Sequence, residues 1–181
     1  MKKNLNSLLA AFGFAVLVTF MASCGGDKCA DVDCGTNGSC LEGDCNCNAG
    51  YEGTQCQTLS RAKFVYDSWN VKENPCVRDS CGKVVVPSCP DFVSAIKSGD
   101  GVDGILITNF GNYGNAVQVK GTVLKDNITL IETIIGAGTA NPATANGNGK
   151  INADGTVTIN YTIKQGLNGC DKLTAVDTYK K

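Results

Sequence analysis

Apolar and polar residues alternate along much of the chain. The strictest stretch is Thr156-Val157-Thr158-Ile159-Asn160-Tyr161-Thr162-Ile163, where Val157, Ile159, Tyr161 and Ile163 share one face. A period of two belongs to a strand with one buried face, because successive side chains point to opposite sides of the pleat. The pattern recurs from Ala116 to Leu124 through Val117, Val119 and Val123, and less regularly from Ile128 to Ile135. Further strands are predicted at Lys63–Val71, Lys83–Val86, Asp91–Ile96, Gly104–Thr108, Gly149–Asn152 and Leu173–Tyr179. Lys125-Asp126-Asn127, Asn146-Gly147-Asn148-Gly149 and Ala153-Asp154-Gly155-Thr156 supply turns between them. No window holds a useful 3.6-residue period. Residues 59–181 are therefore expected to form an all-β domain, an antiparallel β-barrel or β-sandwich.

The front of the chain reads differently. Lys2 and Lys3 precede an uncharged, mostly apolar run from Leu8 to Phe20, thirteen residues, which is secretory length and short of a bilayer-spanning helix. Met21-Ala22-Ser23-Cys24-Gly25 follows, a small pair directly before a cysteine. This resembles the lipobox of bacterial lipoproteins, with Met21 where leucine is usual. The resemblance implies a signal peptide over residues 1–23, diacylglyceryl transfer to Cys24, cleavage before it and N-acylation, leaving residues 24–28 as a lipidated tether. An ordinary cleaved signal peptide and an uncleaved anchor are the alternatives. Cysteine parity fits the lipobox reading: eleven is odd, and lipidating Cys24 leaves an even set suited to an oxidising compartment.

Six cysteines come next: Cys29, Cys34, Cys40, Cys45, Cys47 and Cys56. About thirty residues cannot bury enough apolar surface to fold unaided, so covalent staples must supply stability. Sequence alone leaves fifteen pairings open. The ending Cys45-Asn46-Cys47-Asn48-Ala49-Gly50-Tyr51-Glu52-Gly53-Thr54-Gln55-Cys56, with Asn37-Gly38 before Cys40, resembles an EGF-like module over residues 29–58. That resemblance implies Cys29–Cys40, Cys34–Cys45 and Cys47–Cys56. Calcium-binding members carry an acidic leader before the first cysteine. Here Gly25-Gly26-Asp27-Lys28 stands in its place, so no calcium is expected. Cys45-x-Cys47 could bring sulfurs to a metal, yet the chain has no histidine and the spacing suits disulfides, so no metal is expected.

The β domain holds the last four cysteines, Cys76, Cys81, Cys89 and Cys170, which allow three connectivities. The preferred reading joins one of the first three to Cys170, tying the last strand to the first hairpin. The other two then close the loop from Pro75 to Pro90. The meander order and Trp69 resemble lipocalin or calycin-like domains, although Asp67-Ser68-Trp69 stands where lipocalins have Gly-x-Trp. Trp69 itself is expected to be a core or plug residue.

Charge and chemistry narrow the function. Residues 27–56 carry six acids and one base, while residues 57–181 carry thirteen bases and eleven acids. Neither has the basic stripe that nucleic acid requires. Without histidine, a serine or cysteine nucleophile lacks its usual base. The acids of the β domain, Glu73 and Asp177 among them, sit mostly beside Gly, Asn or Lys as turn acids do, and none is marked as a catalytic pair. The sequons at Asn37, Asn127 and Asn160 are read as accidental. The expectation is a non-enzymatic cell-envelope lipoprotein without cofactor. It would be lipid-anchored in a bacterial outer membrane, facing either the surface or the periplasm, and would bind a protein or glycan partner. The alternative is a lipocalin-like carrier of a small apolar ligand.

Overall fold

The computed structural model describes residues 27–137, 142–165 and 170–181. The apolar run, the lipobox and Cys24 lie outside the described residues.

The N-terminal region is a disulfide knot. Strands β1 (Gly38–Leu41) and β2 (Asp44–Cys47) form a hairpin around Glu42-Gly43, and the short strands β3 (Tyr51–Glu52) and β4 (Thr58–Leu59) pair behind it. Cys29 is bonded to Cys40, Cys34 to Cys45 and Cys47 to Cys56. Cys56 is wholly buried and Cys34 nearly so, so the sulfurs form most of a core that the segment is too short to build from side chains.

After a 3₁₀ turn (Ser60–Lys63) the chain enters the barrel. Its strands are β5 (Tyr66–Ser80), β6 (Lys83–Val85), β7 (Phe92–Ser98), β8 (Gly104–Thr108), β9 (Gln118–Leu124), β10 (Asn127–Leu130), β11 (Thr133–Ile135), β12 (Ala143–Ile151), β13 (Val157–Gln165) and β14 (Asp171–Lys180). Among the described residues, eight of them close an antiparallel ring in the order β5, β7, β8, β9, β10, β12, β13, β14 and back to β5. β6 folds back onto the end of β5, and β11 continues the line of β10 along β12. The fold is thus mainly β, a barrel rather than a sandwich.

The alternation seen in the sequence faces the barrel interior. Val157, Ile159, Tyr161 and Ile163 are buried, as are Val119 and Val123. Three predictions need correction. The Asn146–Gly149 run, expected to be a turn, lies inside β12. A Cβ on Gly147 would meet the Asn160 carbonyl oxygen at 2.2 Å, so glycine is required there by the close approach of β13, not by a reversal of the chain. The first strand runs on past Val71 to Ser80. It absorbs Asn74-Pro75 as a bulge, where the β14 register slips between Ala175 and Asp177. Consequently the Pro75–Pro90 stretch is mostly strand and hairpin rather than loop.

The two ends of the barrel differ. At the end where the chain enters, Trp69 is fully buried, donates its indole N–H to the Phe64 carbonyl at 3.1 Å and packs edge-on against Tyr179. Arg61 Nη1 donates to the carbonyls of Gly99, Gly101 and Gly104, which fixes the β7–β8 turn. The knot docks at this closed end: Lys63 Nζ lies 2.8 Å from Glu52 and 2.6 Å from Asp126, and Gly50 abuts Val102. The opposite, open end gathers the β5–β6 hairpin, the β8–β9 connection and the start of β14.

Candidate functional site

Two disulfides brace the open end. Cys76 is bonded to Cys89, and Cys81 to Cys170. The second joins the tip of the β5–β6 hairpin to the start of the last strand, and the first ties β5 to the segment leading into β7. Between them opens a cleft of about 240 Å³. Its walls include the Cys76–Cys89 bridge, Pro87, Pro90, Tyr113, Ile163 and Leu173, with Arg78 and Asp171 on the rim and Glu73 lining it from the barrel.

Rim and floor have opposite electrostatics. On the rim, Arg78 grips Asp171 through Nε at 3.3 Å and Nη2 at 3.1 Å, and Nη2 also reaches Gln165 at 3.2 Å. The guanidinium holds the Asp171 carboxyl below the usual carboxylate range. This pair is satisfied within the protein.

The floor is different. Strand alternation turns Trp69, Val71 and Glu73 inward, and on the neighbouring strand it turns Ala175, Asp177 and Tyr179 inward. Glu73 and Asp177 stand directly opposite in the β5–β14 register. Glu73 is 8% exposed and Asp177 is fully buried. Tyr161 donates its hydroxyl to Glu73 Oε1, while Tyr179 makes a long 3.5 Å hydrogen bond to Asp177 Oδ2. Asp177 Oδ1 has no hydrogen-bond partner among the described residues. Among the described residues no ion pair reaches either acid, and Arg78, which lines the same cleft as Glu73, is committed to Asp171.

Burial pushes the Asp177 carboxyl up to about 8, and the Glu73 charge adds to the effect. Burial also raises Glu73, against the Tyr161 hydroxyl that stabilises its ionised form. The Tyr161 hydroxyl, raised by burial and then by Asp177, stays protonated as a donor. The neighbouring Glu73 charge is the second cause, after burial, that keeps the Asp177 carboxyl protonated at neutral pH.

Both acids were grouped with residues that mostly resemble turn acids, although Asp177 falls inside the expected strand Leu173–Tyr179; both lie in mid-strand. The signal that finds them is phase: Glu73 alternates with Trp69 and Val71, and Asp177 with Ala175 and Tyr179. Above the pair, Phe110 from the 3₁₀ turn Phe110–Asn112 plugs the barrel, its ring 4.5 Å from that of Tyr161. Gly111 follows in the left-handed region, φ +58°, where a Cβ would crowd the Tyr161 hydroxyl at 3.2 Å. The barrel below is filled by its own side chains in one continuous cluster.

The Glu73 carboxyl lies within 4.8 Å of the Cys76 and Cys89 sulfurs. Those sulfurs are bonded to each other and cannot serve as thiolate ligands. Trp69 is closed off from the cleft, so its role is packing.

The chain matches no family model, no curated protein and no solved structure.

Proposed function

We propose that the chain is a cell-envelope lipoprotein, anchored through Cys24, whose EGF-like knot is a stalk and whose barrel binds a protein or polysaccharide partner at its open end. The observation that carries this reading is the filled interior. A barrel packed with Trp69, Ile107, Phe110, Ile159 and their neighbours leaves its surfaces, not a central chamber, to do the binding. The knot docks at the closed end, so the braced rim is the end turned away from the anchor. There the β6 edge exposes Val84, Val85 and Val86 at 63%, 45% and 70%, beside Tyr113 at 40%, an apolar patch of the kind partners cover. Asp177 is sealed from solvent, which argues against the Glu73–Asp177 pair as a two-carboxylate hydrolase. The carrier alternative draws on the eight-stranded closed meander and on Trp69; the packed core counts against it.

The test uses a photo-cross-linking amino acid in place of Tyr113 at the rim or of Asp154 at the closed end, in cells. A discrete cross-linked partner from the rim position alone is expected. Cross-links from Asp154 alone, or equally from both, would contradict the reading. Cys24→Ala alongside should release the protein from the membrane fraction. If it stays bound, the anchor is misassigned.

A further inference from the structure

We infer that the cleft at the open end takes a primary ammonium group on a short apolar stem, with Glu73 as its counter-ion and Asp177 behind it. The inference rests on the open end being the binding face and names what that face recognises. Four observations support it. Glu73 is more than nine-tenths buried, yet it lines the cleft. Asp177 lies next to it across the ladder with one oxygen lacking any partner among the described residues. Among the described residues no cation pairs with either acid, whereas Arg78 and Asp171 on the rim pair with each other. The walls above the acids are apolar: Ile163, Leu173, Pro87 and the Cys76–Cys89 bridge.

Burying a carboxyl without a cation costs free energy that an apolar side chain would not. Keeping its proton lowers that cost for Asp177, and a ligand cation would lower it for Glu73. An ammonium group fits this donor set better than a bare metal ion. Ca²⁺ seeks six to eight oxygens, whereas of the floor groups only the Glu73 carboxyl lines the cleft, with Asp177, Tyr161 and Tyr179 buried behind it. An ammonium can pair with that one carboxylate and keep water on its remaining protons, and its stem can lie along the apolar walls. The cleft of 240 Å³ has room for about eight water volumes, enough for a four- or five-carbon stem but not for a large ligand.

Binding should release a proton. Asp177 faces Glu73 on β5, Tyr161 on β13 and Tyr179 on its own strand, which Ser94 of β7 meets in turn; Tyr113 lies near Glu73. Burial is the main cause of the raised Asp177 carboxyl, and the Glu73 charge adds to it. A cation seated at Glu73 offsets that second contribution, so Asp177 gives up part of its proton as the complex forms.

The experiment is calorimetric titration of the full chain, disulfides intact, with n-butylammonium chloride at pH 7 in two buffers of different ionisation enthalpy, and with 1-butanol as neutral control. Saturable binding of butylammonium but not of butanol is expected, with heats that differ between buffers. Glu73→Gln keeps an acceptor for Tyr161 and should weaken binding at least about tenfold. Asp177→Asn should keep binding but abolish the buffer dependence. No saturable binding, equal binding of butanol, or buffer-independent heats for the unmodified chain would overturn the inference; the last applies even if Glu73→Gln fails to fold. N-acetyl-lysine methylamide separates the sources. Binding comparable to butylammonium supports a lysine side chain of a protein partner, and binding of free amines alone supports a small-molecule amine. If Tyr113 cross-links a partner while butylammonium does not bind, this inference falls and the interaction reading stands. If butylammonium binds and the rim cross-links nothing, the reverse holds.

Discussion

A carboxyl group placed inside an apolar barrel makes stability depend on pH, and Asp177 is such a group. An unfolded aspartate ionises near about 4, whereas in the folded chain burial holds this carboxyl up to about 8. Between those values the folded state keeps a proton that the unfolded state has released. Stability therefore falls as pH rises from about 4 to about 8 and levels off above that. Asp177→Asn removes the charge and leaves an amide that Glu73 can accept. Its Tm should exceed that of the unmodified chain at pH 9 by roughly 3–6 °C, from an effect of about 1–2 kcal/mol, and should not exceed it at pH 4. Scanning calorimetry across pH checks this, and a constant Tm difference at all pH values would contradict it. Residues 173, 175, 177 and 179 alternate inward with Ala175 and Tyr179, so the position of Asp177 was visible in the period. Reading acids beside polar neighbours as turn acids hid it. Glu73 was harder to see, because Asn74-Pro75 directly after it reads as a strand end, and only the slipped β14 register turns that dipeptide into a bulge.

At the level of elements, β12 and the braced hairpin carry the clearest consequences. The Asn-Gly-Asn-Gly run has turn composition, and nothing local says otherwise. Its place in mid-strand is decided by β13, whose Asn160 carbonyl and Tyr161 backbone come too close for any side chain at Gly147. Gly147→Val should therefore destabilise by about 2–4 kcal/mol despite the high strand propensity of valine, measured by urea denaturation. A neutral or stabilised variant would show that β12 sits farther from β13. The Cys81–Cys170 bond closes a loop of sequence separation 89 and ties the hairpin tip to the last strand. Replacing both cysteines by serine should cost about 3–5 kcal/mol by chain entropy. The loss should be larger than for the Cys76–Cys89 pair, of separation 13, and equal losses would contradict the loop-length argument. The strands themselves were mostly legible, since one-sided burial imposes alternation. The division into β10 and β11, and closure of the ring through β10 and β12, depend on pairings between distant segments.

For the whole molecule, one arrangement follows from the parts. A covalently stapled knot sits against the closed end through Lys63, Glu52 and Asp126, and a disulfide-braced rim with an acidic floor lies at the other end. Cysteine number and spacing pointed to the knot, and strand alternation to the barrel. Neither could say whether the barrel was full, because volume is settled by how eight inward faces meet. The central claim is that this barrel packs on itself instead of around a cargo. Native mass spectrometry of the full chain, purified from the cells that make it without denaturation, tests that most directly. The account predicts the mass of the chain with its covalent modifications and no apolar molecule bound inside. One apolar molecule per chain, retained in the native spectrum and lost on unfolding, would contradict it and establish the carrier reading.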